Sequence, residues 1–253
     1  MQVSAIAAFK DNYIWCVHNL QSALIIDPGE SDVVLDFLAR AKLRLEAIFI
    51  THHHRDHHAG LADLLAEQQV PVYGPALENI SGITHRVAEP MQINLPQLGL
   101  TFKVLDTPGH TRGHICYYTP GLLFCGDTLF AAGCGRLFEG EPKTLLASLE
   151  KLACLPSQTQ VYPAHEYTQA NLQFAEKLEP DNPEIKAKLK RIKHLRELGF
   201  PSLPSTLAEE KLTNPFLRCQ EPNIIAAAEG YAKQKLKPPS EVFAVLRAWK
   251  NLV

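Results

Sequence analysis

Five of the eleven histidines fall within the short run Thr51-His52-His53-His54-Arg55-Asp56-His57-His58. Imidazole and carboxylate side chains together suit zinc, iron or manganese. No cysteine stands nearby to complete a closed structural zinc site. If Ala47–Thr51 is a buried strand, the run that follows is a loop whose alternate side chains face different ways. His52 and His54 then share one ion, while Asp56 and His57 turn toward a second. Downstream, His110, Asp127 and His165 offer three more ligands, enough for two ions sharing one carboxylate. Sites of that kind hold their ions ~3.5–4 Å apart. Packing several imidazoles together without metal is costly, so the 52–57 cluster reads as ligands rather than core. His18, His85, His114 and His194, taken singly, read as hydrogen-bonded core histidines. His53 and His58 are out of phase with the ligands and read as supporting or surface groups.

Positioning such a set requires several chain segments to end at one place. Strand-like runs are Val3–Phe9, Tyr13–His18, Ala23–Asp27, Ala47–Thr51, Val70–Tyr73, Leu100–Thr107, His114–Tyr118, Leu122–Cys125 and Gln160–Ala164. Several close on polar turns: Asp27-Pro28-Gly29, Thr51-His52, Thr107-Pro108-Gly109-His110, Gly126-Asp127 and Ala164-His165. Reactive side chains at the same end of many strands point to one convergent site. Helices are predicted after Gly29, with Ser31 or Asp32 as cap, after Gly60 and after Pro142. Strands in runs with few helices between them favour stacked sheets flanked by helices. From Tyr167 the pattern turns helical: Asn171–Leu178, Ile185–Leu198, Ser205–Leu212, Ile224–Lys235 and Val242–Trp249, punctuated by prolines. A mixed domain over 1–165 followed by a helical domain over 166–253 is expected.

The 253 residues carry 25 Lys+Arg against 27 Asp+Glu, a net charge of −2, with 46% apolar residues. That balance argues against bulk-charge gripping of nucleic acid, and the apolar content against disorder. No apolar run approaches the ~20 residues of a membrane span. No secretory signal is visible, so a cytoplasmic protein with six reduced cysteines is expected. Charge is divided unevenly: residues 1–165 are net −5 and residues 166–253 net +3. The basic stretch Lys186–Arg196 reads as the solvated face of a packed helix. Neither a G-x-S-x-G elbow nor a phosphate-binding loop is present.

His52-His53-His54-Arg55-Asp56-His57 resembles the H-x-H-x-D-H signature of the metallo-β-lactamase superfamily, with His110, Asp127 and His165 in the order that superfamily uses. The resemblance implies an α+β fold, an αβ/βα sandwich with the metals at one edge of two stacked sheets. Finer motifs narrow it. They are Asp11-Asn12-Tyr13, Gly133-Cys134-Gly135-Arg136-Leu137-Phe138-Glu139-Gly140, Ala164-His165-Glu166-Tyr167-Thr168 and an Arg247-x-x-Lys250 end. Together with a C-terminal all-helical domain they are similar to glyoxalase II, the hydroxyacylglutathione hydrolase family, over essentially the whole chain.

That family hydrolyses S-D-lactoylglutathione to D-lactate and glutathione, the second step of methylglyoxal detoxification. The resemblance implies two divalent metal ions, zinc first, with iron or manganese as alternatives. One ion takes His52, His54 and His110; the other takes Asp56, His57 and His165; Asp127 bridges. Asp56 is also the expected catalytic, water-orienting group. Arg136, Phe138, Tyr167, Arg247 and Lys250 match positions that hold the glutathione moiety, so removing Arg247 and Lys250 is expected to raise KM. The partner is a small glutathione thioester, with no nucleic acid or membrane, and the chain is expected to be a monomer. Three positions depart from the pattern. Phe138 lacks the hydroxyl of a tyrosine seen in some members. Arg136 replaces a lysine, and His58 puts a further imidazole where a small apolar residue is common. The rival within the fold is an iron-dependent dioxygenase of glutathione persulfide, which uses one iron.

Overall fold

The computed structural model describes residues 1–253. The first sheet collects β1 (Gln2–Ala8), β2 (Asn12–His18), β3 (Ser22–Ile26), β4 (Arg44–Phe49), β5 (Val72–Pro75) and β6 (His85–Val87) in sequence order. Its helices are α1 (Asp32–Ala41), the single turn α2 (Arg55–His58) and α3 (Leu61–Glu67). The second sheet is built from β7 (Gln92–Leu95), β8 (Leu100–Asp106), β9 (Ile115–Thr119), β10 (Leu122–Gly126) and β13 (Gln160–Pro163), with β14 (Ser205–Thr206) at its edge. Between β10 and β13 lie the short ribbon β11 (Leu129–Phe130)–β12 (Gly133–Cys134) and helix α4 (Pro142–Ala153). Helices α5 (Thr168–Leu178), α6 (Pro183–Glu197), α7 (Leu207–Thr213), α8 (Pro222–Ala232) and α9 (Pro239–Lys250) complete the chain.

Alternation along the strands explains the layering, because successive side chains of a strand face opposite ways. In β2, Trp15 and Val17 join Phe49, Phe102, Tyr117, Phe124 and Tyr162 between the sheets, while Ile14 and Cys16 face α1 and α3 with Val34, Leu38 and Leu64. Aromatic contacts fasten the middle layer: Phe49 stacks on Tyr117 at 4.3 Å and Trp15 meets Tyr162 edge-on at 4.9 Å. On the far side of the second sheet, Cys116, Leu123 and Val161 share one 22-residue core with Leu149 of α4, Phe174 of α5, Leu207 of α7 and Phe243 of α9. The result is the expected αβ/βα sandwich with helices added.

The differences from expectation are local. Ser205–Leu212 is not helical from its start: Ser205 and Thr206 pair antiparallel with Val161 and Gln160. Thr206 Oγ1 then caps α7 by accepting from Glu209 N–H. The region after residue 166 is therefore helical except for one strand that it gives to the second sheet. Strands β6, β11 and β12, of two or three residues, are too short for an alternation pattern and lie outside the runs named above, as does the four-residue β7, which does alternate. Ser31 stands at the N-cap of α1, but its hydroxyl reaches Asp63 at 3.3 Å instead of a first-turn amide.

Candidate active site

The metal-ligand run starts where β3 and β4 are tied together. Asp27 follows β3 in a left-handed conformation (φ 54°) and accepts from the Thr51 amide at 2.8 Å and the Thr51 hydroxyl at 2.7 Å. His52, His53 and His54 then alternate as expected. From Arg55 the chain coils into α2 rather than staying extended, and that turn carries Asp56 and His57 toward His165. Gly29 permits this close approach: a Cβ there would lie 2.0 Å from the Asp56 carbonyl oxygen.

Nδ1 of four imidazoles faces an acceptor, which leaves Nε2 as a lone pair. These contacts are His52 with Thr51 Oγ1 at 3.0 Å, His57 with Asp27 Oδ2 at 3.0 Å, His110 with the Arg136 carbonyl at 2.9 Å and His165 with Asp11 Oδ1 at 2.9 Å. Such outer contacts set the tautomer and aim of metal-binding histidines. Nε2 of His52 and Nε2 of His110 each lie 3.0 Å from His54 Nδ1. One proton on His54 cannot satisfy both lone pairs, whereas a cation among the three nitrogens does. On the other side, Asp56 Oδ2 lies 3.5 Å from Nε2 of both His57 and His165. Asp127 divides its oxygens between the two sets: Oδ2 is 3.5 Å from His110 Nε2, and Oδ1 is 3.5 and 3.4 Å from Nε2 of His57 and His165. His57 Nε2 and Asp127 Oδ1 are buried without a hydrogen-bond partner. Orphaned buried acceptors are rare, and here they face a gap ringed by further ligand atoms. The donor set fits divalent metal.

Electrostatics agree with that reading. Burial, then neighbouring imidazoles, pushes His52 well below the usual histidine range, and burial brings His110 down to about 4, so both are neutral ligands. His57 goes the other way: burial opposes it, but Asp127 and Asp27 raise it. Burial would raise Asp127, yet His165 and His57 outweigh it and hold the carboxyl far down; His57 and Asn12 do the same for Asp56. Two carboxylates held in their charged form thus face the gap between the ligand sets.

A cavity of about 650 Å³ opens over this cluster. His54, Asp56, His110, Asp127 and His165 line it, and His52 and His57 lie beneath its floor. Arg136, Phe138, Tyr167, Arg247 and Lys250 line the same cavity, so one space gathers the expected ligands and binding residues. The Tyr167 ring lies parallel to His165 at 4.7 Å, and Phe138 sits edge-on to His54 and His110 at 5.3 and 5.2 Å.

Arg247 needs a different account from the expected one. It is buried, its Nη1 donates to the Cys134 carbonyl at 2.7 Å and Nη2 reaches Asn251 at 3.2 Å. Its guanidinium also covers the Phe216 ring at 5.1 Å. Nη1 thereby holds β12, while Nε is buried without a hydrogen-bond partner. Lys250 is freer, its ammonium 5.6 Å from the Phe174 ring centroid.

Among the remaining histidines, His114 is buried and held between Thr107 and Thr128, and His18 bonds Ser4, as expected of core groups. His85 and His194 are exposed, contrary to expectation; His85 stacks on Tyr73 and its Nδ1 bonds Thr84 Oγ1 at 2.8 Å. His58 turns to the His53 carbonyl, away from the ligands, and His53 spans Glu78 at 3.0 Å and Glu139 at 3.3 Å.

Sequence reasoning missed the supporting groups Asp11, Asn12, Asp27 and Thr51, although all four stood in the strand-end turns or motifs singled out above. It also missed Arg55, Phe130, Cys134 and Asn171 in the cavity wall. Another missed feature is a clamp on the β11–β12 ribbon. Asn171 donates to Ala131, Asn214 donates to Phe130 and Gly133, and Glu210 accepts from the Ala132 amide. The ribbon leads into Gly135, where a Cβ would sit 1.9 Å from the Asp127 carbonyl oxygen, so the clamp reaches Asp127.

Comparison with known proteins agrees with this geometry. A family model described as metallo-beta-lactamase superfamily matches residues 12–165, and one described as hydroxyacylglutathione hydrolase C-terminus matches residues 166–253. The hydroxyacylglutathione hydrolase of Nitrosomonas eutropha is 52% identical over 251 residues, covering 99% of this chain and 98% of that protein. The chain belongs to the hydroxyacylglutathione hydrolase family. The enzyme of that name from Alkalilimnicola ehrlichii is 50% identical over 252 residues, again covering 99% and 98%. Among solved structures, ETHE1 from Myxococcus xanthus has a TM-score of 0.65 at 25% identity, covering 100% of this chain and 99% of that one. TTHA1623, solved in a di-iron-bound form, has a TM-score of 0.60 at 26% identity, covering 86% and 100%. This member of the hydroxyacylglutathione hydrolase family thus has the metallo-β-lactamase fold and a His/Asp cluster suited to divalent metal.

Proposed function

We propose that the chain hydrolyses S-D-lactoylglutathione to D-lactate and glutathione at two divalent ions, zinc first, with iron or manganese as alternatives. The observation that carries the two-ion reading is the split of Asp127, one oxygen toward each ligand set, with buried lone pairs around it. His52, His54 and His110 would hold one ion, Asp56, His57 and His165 the other, with Asp127 common to both. Bound divalent ions supply Lewis acidity, which polarises a carbonyl and brings the pKa of water toward neutrality.

The side chains supply the rest. Asp56 keeps Oδ2 on Asn12 at 3.0 Å and among the imidazoles, and its partial exposure lets the carboxylate orient a water at the thioester carbon. Hydrolysis adds that water and breaks the C–S bond. The leaving thiol has a pKa near ~8.5, so it departs with little protonation and no dedicated acid is required. Phe138 and Phe130 shield the reacting carbon from bulk water, and Tyr167 holds the plane of His165. Arg136 and Lys250 offer cations for the carboxylates of the tripeptide. Residues 166–253 serve as the glutathione-binding domain on a catalytic domain of residues 1–165. The near-neutral net charge supports a small-molecule substrate rather than nucleic acid, and we read the chain, with its free cysteines, as a cytoplasmic protein that acts as a monomer. No helix is long and apolar enough to cross a membrane.

The test is a hydrolysis assay on S-D-lactoylglutathione with elemental analysis of the purified protein. Thioester cleavage without O₂ and two metal equivalents per chain are expected. One iron per chain with O₂ consumption on a persulfide would refute the proposal.

A further inference from the structure

Four cations line the cavity: Arg55, Arg136, Arg247 and Lys250. Arg247 is committed to Cys134 and Asn251. Glutathione brings two carboxylates, which Arg136 and Lys250 can match. Arg55 is then a cation in the wall with nothing assigned to it. It is exposed and forms no side-chain hydrogen bond or ion pair. The adjacent carboxylate of Asp56 turns Oδ2 to Asn12, His57 and His165 instead. Arg55 opens α2, between His54 and Asp56 in sequence, and lines the same cavity as those two residues. A free guanidinium in the cavity wall suits an acyl chain that ends in an anion.

We propose that Arg55 is a specificity-determining residue that selects acyl groups ending in a carboxylate over neutral acyl groups of equal length. The inference rests on the acyl-glutathione reading above and adds a substrate class to it. S-succinylglutathione and S-butyrylglutathione test it, since they have acyl chains of equal carbon number and differ in the terminal carboxylate. The quantity read is the ratio of their kcat/KM values within one protein preparation, so partial misfolding cancels. The wild-type chain is expected to favour the succinyl thioester. Arg55→Ala is expected to lower the ratio by roughly 10- to 100-fold, the worth of one charged hydrogen-bonded contact, mainly through KM for the succinyl substrate. Arg55→Lys should restore part of it and Arg55→Glu should invert the preference. An unchanged ratio in Arg55→Ala, with both thioesters still cleaved, overturns the role of Arg55 and leaves the hydrolase reading standing. Failure of the wild-type chain to cleave either thioester, or S-D-lactoylglutathione, overturns both.

Discussion

At the scale of single residues, burial and partner count separate groups that look alike in sequence. Asp127 is buried and joins the two ligand sets, so Asp127→Ala should cut bound metal to one equivalent or fewer and lower kcat by at least ~100-fold. Metal content and turnover on the same sample check both. Arg247 and Lys250 form one motif, yet the structure divides them. Lys250→Ala should raise KM with kcat nearly constant, because Lys250 lines the cavity without being one of the metal-cluster groups and, in the proposed reading, binds a remote part of the substrate. Arg247→Ala should also lower stability by about 2–4 kcal/mol, because the Cys134 carbonyl loses its charged donor. Urea denaturation beside steady-state kinetics distinguishes the two outcomes. The cysteines divide similarly: Cys154 is exposed and the other five are buried. Burial raises the thiols of Cys16 and Cys116 to about 12 and Cys134 to about 11. A thiol whose folded pKa exceeds its unfolded value of ~8.5 stabilises the fold below that pH and loses the contribution as pH rises toward the folded value. Native alkylation at pH 8 should therefore label Cys154 alone, and the thermal midpoint should fall between about pH 9 and 11.

At the scale of elements, the β11–β12 ribbon is too short to hold itself. Side chains of α5 and α7, with Asn214 beyond α7, satisfy its backbone groups, and behind them Lys188 Nζ meets Glu210 at 2.6 Å in a fully buried pair. Asn214→Ala removes donors to two ribbon carbonyls and should cost about 2–4 kcal/mol. Because the ribbon carries Phe130 and Cys134 into the cavity wall, KM should rise with it; chemical denaturation and kinetics on that variant decide the matter. Little of this was legible in the sequence. Ser205–Leu212 has helical spacing, and nothing local says that its first two residues edge a sheet laid down 45 residues earlier. Ligand loops were legible because a β-strand followed by His and Asp is a dense chemical signal. Asp27 and Asp11 showed only as polar turn residues, since their partners His57 and His165 lie 30 and 154 positions away.

At the scale of the whole molecule, two sheets and two helical layers meet at the strand ends where the ligands gather. The second sheet and the helices after residue 166 share one core, with Cys116, Leu123 and Val161 packed among Phe174, Phe216 and Leu246. Unfolding should therefore be a single cooperative transition, with the same midpoint by tryptophan fluorescence and far-ultraviolet circular dichroism. Ions that bind only the folded cluster add to its stability by mass action. Exhaustive chelation should lower the thermal midpoint by about 5–10 °C for a chain of this size, and readdition of zinc should restore it. An unchanged midpoint would mean that the cluster does not hold metal tightly.

By itself the sequence determined which atoms are available for chemistry. Imidazoles and carboxylates after short strands define a metal site, alternation defines two stacked sheets, and an Arg-x-x-Lys end defines a basic helix. Tertiary structure alone decided how those atoms are employed. It aimed Nδ1 of four histidines at fixed acceptors and split Asp127 between two ligand sets. It turned Arg247 into a strut, and it left Arg55 free in the cavity wall. The reason is physical: ligand identity is a property of a residue, whereas lone-pair direction, burial and unmet charge depend on neighbours that the chain brings in from far away.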